Sequence, residues 1–272
     1  MNPMKRFAFM ISDGTGLTVE SLGNSLLSQF EEVHFIKETF PYVDTIQKAK
    51  KALKKINACS SESKPIVFVT LINPEISNYF RQADACVLDL FGIFLAPLEK
   101  ELGKSSSYTV GKTHALADIT RYDHRIDAIN FALDHDDGIK LKGYEQADII
   151  LVGVSRSGKT PCCLYMALQF GVFAANYPFT DEDLACTALP KALRPYRKKL
   201  FGLTIDCKRL EQIRTARRPD SQYASAMQCL SEIKQIEKLY IDESIPYLNS
   251  THYSIEEIAT KIMAKSKIQR RI

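Results

Sequence analysis

The feature that most constrains this chain is the segment GVSRSGKT at residues 153–160, which matches the phosphate-binding pattern G-x-x-x-x-G-K-[S/T] at every fixed position. The apolar run at 147–152 precedes it and suits a strand that is buried on both faces. Residues 161–170 follow with the apolar spacing of a buried helix, a proline in the first turn and Gly171 as a stop signal. This order of strand, glycine-rich loop and helix predicts a P-loop that holds the phosphates of a nucleotide. The alternative is a Gly/Ser-rich turn that caps an ordinary βα unit.

Each part of the motif has an expected chemical task. The backbone N–H groups and the positive end of the following helix would surround an anion. Lys159 would reach the terminal phosphates as a catalytic cation, and the Thr160 hydroxyl would ligate Mg²⁺. The predicted nucleotide-binding residues are Gly153, Val154, Ser155, Arg156, Ser157, Gly158, Lys159 and Thr160.

Composition sets outer limits on function. The 272 residues suffice for one large or two smaller α/β domains, and 45% apolar with 25% charged residues is ordinary for a globular protein. The seven cysteines include no C-x-x-C pair, so they favour neither a disulfide framework nor a zinc site, and we expect a cytoplasmic location. A net charge of +4 without tryptophan gives little support to a nucleic-acid surface. No apolar run approaches the ~18 residues of a membrane span. We therefore expect neither nucleic acid nor a membrane as partner.

The first half of the chain alternates strand-like and helix-like patterns, which is typical of parallel βα units. A polar stretch at 103–107 then predicts a loop, and residues 122–133 have helical spacing. The predicted strands are 6–11, 33–38, 66–71 and 85–90, and the predicted helices are 18–30, 45–56, 73–82 and 91–102.

The second half continues the alternation after the phosphate-loop strand. The helix at 254–264 opens with Ser254 followed by Glu257, the spacing of a capping box. Further strands are predicted at 172–176, 199–205 and 245–248, and a long helix at 221–240. The predicted fold is α/β, with an N-terminal parallel βα lobe at 1–140 and a P-loop, kinase-like α/β lobe at 141–272.

Two aspartates at strand ends are candidate catalytic residues. Asp206 follows the strand LFGLTI and fits the acidic metal partner of Thr160, but a helix cap before residues 207–214 explains it as well. Asp13 begins the sequence DGTG after the first strand, where it could serve a second anion or acceptor site. A plain βα turn is the alternative for Asp13.

Two other clusters could carry chemistry. The segment HDDG at 135–138 places an imidazole beside two carboxylates, which could supply a base or bind Mg²⁺. Because adjacent side chains do not share a face in regular structure, a solvated turn is the favoured interpretation. Arg217 and Arg218 could clamp a phosphate bidentately, and the alternative is a charged helix end.

Beyond the phosphate loop, the chain resembles a known family, the bifunctional regulatory proteins of phosphoenolpyruvate synthase and of pyruvate, phosphate dikinase. The similar segments follow one another along nearly the whole chain, which makes the match far more specific than the phosphate loop alone. They are SDGTG at 12–16, LDHDDG at 133–138, GVSRSGKTP at 153–161, AANYPF at 174–179, LFGLTID at 200–206, YAS at 223–225 and NSTHYSIEEIAT at 249–260.

The resemblance implies a serine/threonine kinase that uses ADP as donor to inactivate its target by phosphorylating a threonine. It also implies a phosphorylase that uses inorganic phosphate to remove the same group as pyrophosphate. The sequences APL at 96–98 and NST at 249–251 are closer to the synthase-regulating branch, so phosphoenolpyruvate synthase is the expected partner. A homodimer is one assembly that the sequence leaves open.

Several alternatives remain open at the level of sequence. The same chemistry could act on pyruvate, phosphate dikinase, or the second lobe could belong to a P-loop kinase of small molecules. A nucleic-acid-linked P-loop NTPase is a rival from another class. The choice between ADP and ATP is not visible, because such a loop binds the β-phosphate of both.

Overall fold

The computed structural model describes residues 4–60, 63–109, 119–186 and 188–271. The chain divides into two compact units, Met1–Ala115 and Leu116–Ile272. Each unit contains a four-stranded, all-parallel sheet with helices on both faces. The predicted α/β class is therefore confirmed.

The sheet of the first unit has the strand order β2-β1-β3-β4. Alternate residues of β1 point to opposite faces, so that Phe9 and Ile11 pack with α2 and α3, whereas Ala8 and Met10 pack with α1. The strand order reverses at the carboxyl end of β1, which is where ligands bind in open α/β sheets. The elements are β1 (Met4–Ser12), α1 (Leu17–Leu27), β2 (Val33–Phe40), α2 (Ile46–Ala58), β3 (Ile66–Thr70), α3 (Pro74–Phe80), β4 (Cys86–Asp89) and α4 (Leu90–Leu102).

The sheet of the second unit has the order β6-β5-β7-β8. It is built from α5 (Ile119–Asp134), β5 (Ile149–Gly153), α6 (Lys159–Phe170), β6 (Ala174–Pro178), α7 (Asp181–Ala185), β7 (Leu200–Thr204), α8 (Cys207–Arg217), α9 (Ala226–Asp242), β8 (Tyr247–Asn249) and α10 (Ile255–Ser266).

The central strand β5 is buried along its whole length, as its continuous apolar sequence predicts. Ile149 and Leu151 pack with α5, α6 and α10 on one face of the sheet. Ile150 and Val152 pack with α8 and α9 on the other face. Because β6 and β7 flank β5 on opposite sides, the carboxyl end of β5 is the switch point of this sheet.

The boundary between the units differs from the one predicted at 140/141. Helix α5 was expected to end the N-terminal lobe, but it packs on α6 and belongs to the second unit. Its buried residues Ala128 and Ala132 lie in the same apolar cluster as Cys163 of α6. An apolar helix face shows that a helix is packed against something, and it does not show against which lobe.

Most predicted elements lie within a few residues of those observed, with some differences at their ends. The long helix predicted at 221–240 begins only at Ala226, because residues Gln222–Ala224 form a separate 3₁₀ turn. Ser254 and Glu257 form the predicted capping box of α10. The short helix α7 and the 3₁₀ helix Arg194–Lys199 were not predicted. Within the described ranges, no helix is long and apolar enough to cross a membrane.

Candidate functional site

The phosphate motif forms the connection between β5 and α6, as predicted. Arg156 and Gly158 both have left-handed backbone conformations, with φ of 77° and 95°. Gly158 is the N-cap of α6 and supplies no side-chain hydrogen bond to the helix. The first N–H groups of α6 therefore point out of the helix without a capping side chain, which is the arrangement that binds phosphate at a helix start.

The start of the loop is too crowded for any side chain larger than hydrogen. A Cβ atom at Gly153 would lie 2.6 Å from the carbonyl oxygen of Leu203 and 2.8 Å from Ser157 Oγ. The carbonyl belongs to the neighbouring strand and cannot move aside without disturbing the sheet. Glycine is therefore required here by the close approach of β5 and β7.

Lys159 lies beneath the loop and holds its backbone. Its Nζ donates to the carbonyl oxygens of Gly153 at 3.1 Å and Val154 at 2.9 Å, and its side chain is buried. Burial lowers the pKa of Lys159 to about 8, although Asp137 and Asp136 raise it in part by favouring the charged form. The ammonium is thus a positive charge in a nearly dry position beside the expected phosphates.

A carboxylate contacts the threonine of the motif. Thr160 Oγ1 donates to Asp136 Oδ1 at 2.8 Å, and the Asn176 amide of β6 also donates to this oxygen. The next residue, Asp137, has a φ of 49°, and its backbone N–H donates to Asn176 Oδ1 at 3.0 Å. It also lines the loop cavity described below. The irregular turn thus brings both aspartates to the phosphate loop. Asp137 is exposed and Asp136 is half-buried, so the turn is partly solvated and also contacts the loop.

His135 is a structural residue of this turn. Its ring is buried, stacks on Phe131 with ring centroids 4.0 Å apart, and places Nδ1 2.8 Å from the carbonyl oxygen of Phe131. Its Nε2 lies 3.3 Å from the carbonyl oxygen of Lys142. Both ring nitrogens therefore face backbone oxygens, and the imidazole is not placed to act as a base on a ligand.

A buried ion pair supports the loop from the α8–α9 side. Arg214, with no exposed side-chain surface, donates to both carboxylate oxygens of Glu232, at 2.9 and 2.6 Å. The same guanidinium donates to the carbonyl oxygen of Ser155 at 3.2 Å. Tyr223 stacks on it, with 4.1 Å between Arg214 Cζ and the ring centroid, and its hydroxyl donates to Ser155 Oγ at 2.9 Å.

Three cavities surround the loop and share Ser155 or its neighbours. The first, of about 230 Å³, is lined by Asp137 and by Ser155, Arg156 and Gly158 to Pro161 of the motif. The second, of about 350 Å³, lies over the Arg214–Glu232 pair. The third, of about 200 Å³, is lined by Ser155, Arg156, Arg217, Arg218 and Tyr223. The arginines at the end of α8 therefore line a cavity next to the phosphate loop.

The two strand-end aspartates have other partners. Asp206 is the exposed N-cap of α8 and accepts from the N–H of Lys208 at 2.9 Å, which is the cap alternative. The carboxylate that contacts Thr160 is Asp136 instead.

Asp13, in the first unit, accepts from the N–H of Ile72 at 2.7 Å, and burial raises its pKa. It thereby ties the turn after β1 to the turn after β3.

Four residues at the site were missed as functional candidates: Asn176, Tyr223, Arg214 and Glu232. The contact of Asp136 with Thr160 was also missed, although HDDG was a candidate segment. The available signal was the resemblance, because LDHDDG, AANYPF and YAS contain Asp136, Asn176 and Tyr223. Arg214 and Glu232 lie outside those segments, and no sequence spacing joins them.

The comparisons with known proteins agree with this geometry. The family model described as kinase/pyrophosphorylase matches residues 8–263. The chain belongs to the kinase/pyrophosphorylase family. This membership makes it a phosphotransferase.

Similar proteins match this chain over its full length. A Legionella pneumophila (strain Corby) protein is 60% identical over 271 residues, which cover 99% of this chain and 100% of that protein. A Hahella chejuensis protein is 54% identical over the same shares of each chain, and one from Pseudomonas aeruginosa (strain LESB58) is 53% identical over 98% of each. All three carry the provisional name phosphoenolpyruvate synthase regulatory protein.

The lowered pKa of Lys159 predicts that ADP binds more weakly as the pH rises above about 8. Bound phosphates favour the charged ammonium, so binding above this pH requires proton uptake, and the affinity falls by up to about tenfold per pH unit. Calorimetric titration of ADP at pH 7, 8 and 9 would measure the effect. The arginine of Lys159→Arg stays charged, so the affinity for ADP should no longer change with pH in this variant if binding is retained. Equal wild-type affinity at pH 7 and 9 contradicts the prediction.

Proposed function

We propose that this protein is a serine/threonine kinase that uses ADP as donor, and a phosphorylase that uses inorganic phosphate to reverse the modification. The observation that carries the proposal is the phosphate loop with the buried Lys159 beneath it and Asp136 beside Thr160. The chain's family and the resemblance described above supply the two reactions. We further propose a threonine of phosphoenolpyruvate synthase as the target, because the relatives' names contain that enzyme.

One phosphate cradle can serve both reactions. In the kinase direction, the bond between the β-phosphorus of ADP and its bridging oxygen breaks, a bond to the threonine oxygen forms, and AMP leaves. The threonine proton passes to a base, for which Asp13 is proposed below. In the phosphorylase direction, hydrogen phosphate attacks the phosphothreonine, the P–O bond to threonine breaks, and the proton of hydrogen phosphate ends on the threonine hydroxyl. Both steps need charge stabilisation more than covalent help, which loop amides and Lys159 provide.

The residues beside Lys159 fit Mg²⁺. The Thr160 hydroxyl and the Asp136 carboxylate are oxygen donors within hydrogen-bond distance of one another, and Mg²⁺ is usually held by one or two carboxylates plus substrate phosphates and water. In the described ranges, no group of three or more His, Cys, Asp or Glu residues is suited to a metal. The proposed Mg²⁺ would therefore depend on substrate phosphates and water for its other ligands. When bound, Mg²⁺ would neutralise charge on the transferring phosphates.

Asp13 remains our proposal for the acceptor site. It lies at the carboxyl end of β1, at the switch point of the first sheet, and its carboxylate is largely buried. Burial raises the pKa of Asp13, which moves the group towards the range of a proton acceptor. The hydrogen bond from Ile72 shows that it also has a structural task.

The proposed function predicts phosphothreonine on phosphoenolpyruvate synthase after incubation with this protein and ADP labelled in the β-phosphate. Added inorganic phosphate should then release the label as pyrophosphate. Lys159→Ala should keep its α/β fold but lose both activities by several orders of magnitude. The loop then lacks the charge that acts on the transferring phosphates and the donor to the carbonyl oxygens of Gly153 and Val154. Consumption of ATP with a metabolite and no protein acceptor would favour a small-molecule kinase instead.

The metal proposal predicts that Mg²⁺ strengthens ADP binding less in Asp136→Asn than in wild type. In Asp206→Asn, the effect of Mg²⁺ on ADP binding should equal that in wild type. The first variant removes a carboxylate beside Thr160, and the second keeps an oxygen that can cap α8. The measurement is the shift in melting temperature with ADP, with and without Mg²⁺. A loss confined to Asp206→Asn would restore Asp206 as the metal ligand.

The acceptor proposal predicts that Asp13→Asn severely lowers the rate of threonine phosphorylation at near-normal ADP affinity. Asparagine can still accept the hydrogen bond from Ile72 through its amide oxygen, so the turn should be retained. Transfer rate and ADP affinity are measured on one preparation. A fully active variant would leave Asp13 as a turn residue.

A further inference from the structure

Three arginines cluster at one edge of the phosphate loop, and the reactions proposed above give two of them, Arg217 and Arg218, no part. Arg156 belongs to the loop, and Arg217 and Arg218 lie at the end of α8, yet all three line the same cavity of about 200 Å³. Ser155 and Tyr223 complete its lining. This cavity, which we term the arginine cavity, shares Ser155 and Arg156 with the cavity over Lys159 and Thr160.

The arginine cavity has an excess of positive charge. No carboxylate lines it, and none of its three guanidinium groups takes part in an ion pair with another residue of the described ranges. Positively charged side chains that line one cavity favour an anion there. Burial is the main cause of the lowered pKa of Lys159, and the positive charge of Arg156 lowers that pKa further.

The polar groups of the cavity suit a phosphate. Guanidinium groups bind phosphate oxygens through two parallel hydrogen bonds, and several of them can surround one tetrahedral anion. The Ser155 hydroxyl accepts from Tyr223, which leaves its own hydrogen available to a ligand. The loop backbone at Arg156 and Ser155 has a defined geometry, because Arg156 has a left-handed φ and the carbonyl of Ser155 accepts from Arg214.

We propose that the arginine cavity is a second phosphate site, distinct from the cradle of the P-loop, and that it binds a phosphate dianion next to the phosphoryl group held by Lys159. The inference rests on the proposed function in one respect. Phosphorolysis places two phosphorus centres side by side, and the arginine cavity adjoins the cavity over Lys159 and Thr160. The ligand is free inorganic phosphate or the phosphoryl group of a phosphothreonine.

The test uses the full chain with Arg217→Gln and Arg218→Gln combined. Both side chains are exposed at a helix end, so the substitution should not disturb the fold. The matched control is Lys234→Gln combined with Lys238→Gln, which removes the same charge from the exposed face of α9 outside the three loop cavities. We expect the KM for inorganic phosphate in the phosphorylase reaction to rise about tenfold or more, because charge-assisted hydrogen bonds are lost. The KM for ADP in the kinase reaction should change little, and the control should resemble wild type.

Two kinetic results would overturn the proposal. One is an arginine variant that is active and has an unchanged KM both for inorganic phosphate and for the phosphorylated protein substrate. The other is an equal rise in the KM for ADP, which would show that the arginines act on the potential of the whole site. If wild type shows no phosphorylase activity, the proposed function fails separately, and direct binding decides about the cavity.

Direct binding is measured by calorimetry with inorganic phosphate and with a phosphothreonine peptide, against its unphosphorylated form. Weaker binding of inorganic phosphate in the arginine variant, but not in the lysine control, supports a site for the free ion. Weaker binding of the phosphopeptide alone supports a site for the ester. Unchanged binding of both probes overturns the proposal.

Discussion

The conformation of the loop after β5 depends on donors that bind its carbonyl groups. Lys159 binds those of Gly153 and Val154, and Arg214 binds that of Ser155. Ser250 Oγ lies 3.0 Å from the carbonyl oxygen of Ser157. When the carbonyls are held beneath the loop, the N–H groups are left to face outwards, and this polarity is what an anion requires.

The buried Arg214–Glu232 ion pair behind the loop orients a hydrogen-bond donor more than it stabilises the fold. Two charges lose their hydration when they are buried, and their attraction offsets this cost only when hydrogen bonding is complete. Removing one partner of such a pair costs about 3–5 kcal/mol, because the other charge is left buried alone. Glu232 fixes the plane of the Arg214 guanidinium by two hydrogen bonds, and Tyr223 covers its face. The donor to the Ser155 carbonyl is therefore held in one orientation.

The sequence predicted those features that depend on local patterns. Continuous apolar runs identified the buried strands, and the glycine spacing identified the loop, because both arise within a few residues. The contact between Asp136 and Thr160 was not predictable in this way, since it depends on an irregular turn with a left-handed Asp137. Arg214 and Glu232 lie on two different helices, and their spacing in sequence carries no signal. Asp206 was ambiguous because one aspartate at a strand end can cap a helix or bind a metal.

The segments that resemble the family converge physically in the second unit. Asp136 of LDHDDG binds Thr160, and Tyr223 of YAS binds Ser155. Ser250, in the segment that follows β8, reaches the carbonyl of Ser157. α/β sheets of this kind form without these particular contacts. The similar segments therefore identify the residues that hold one loop as well as the fold.

The segment SDGTG in the first unit has a different basis. Asp13 accepts from Ile72, and Gly16 has a φ of 87°, so the turn after β1 is specified by its own geometry as well as by any function. For that reason the family resemblance is a stronger argument for the residues around Lys159 than for Asp13.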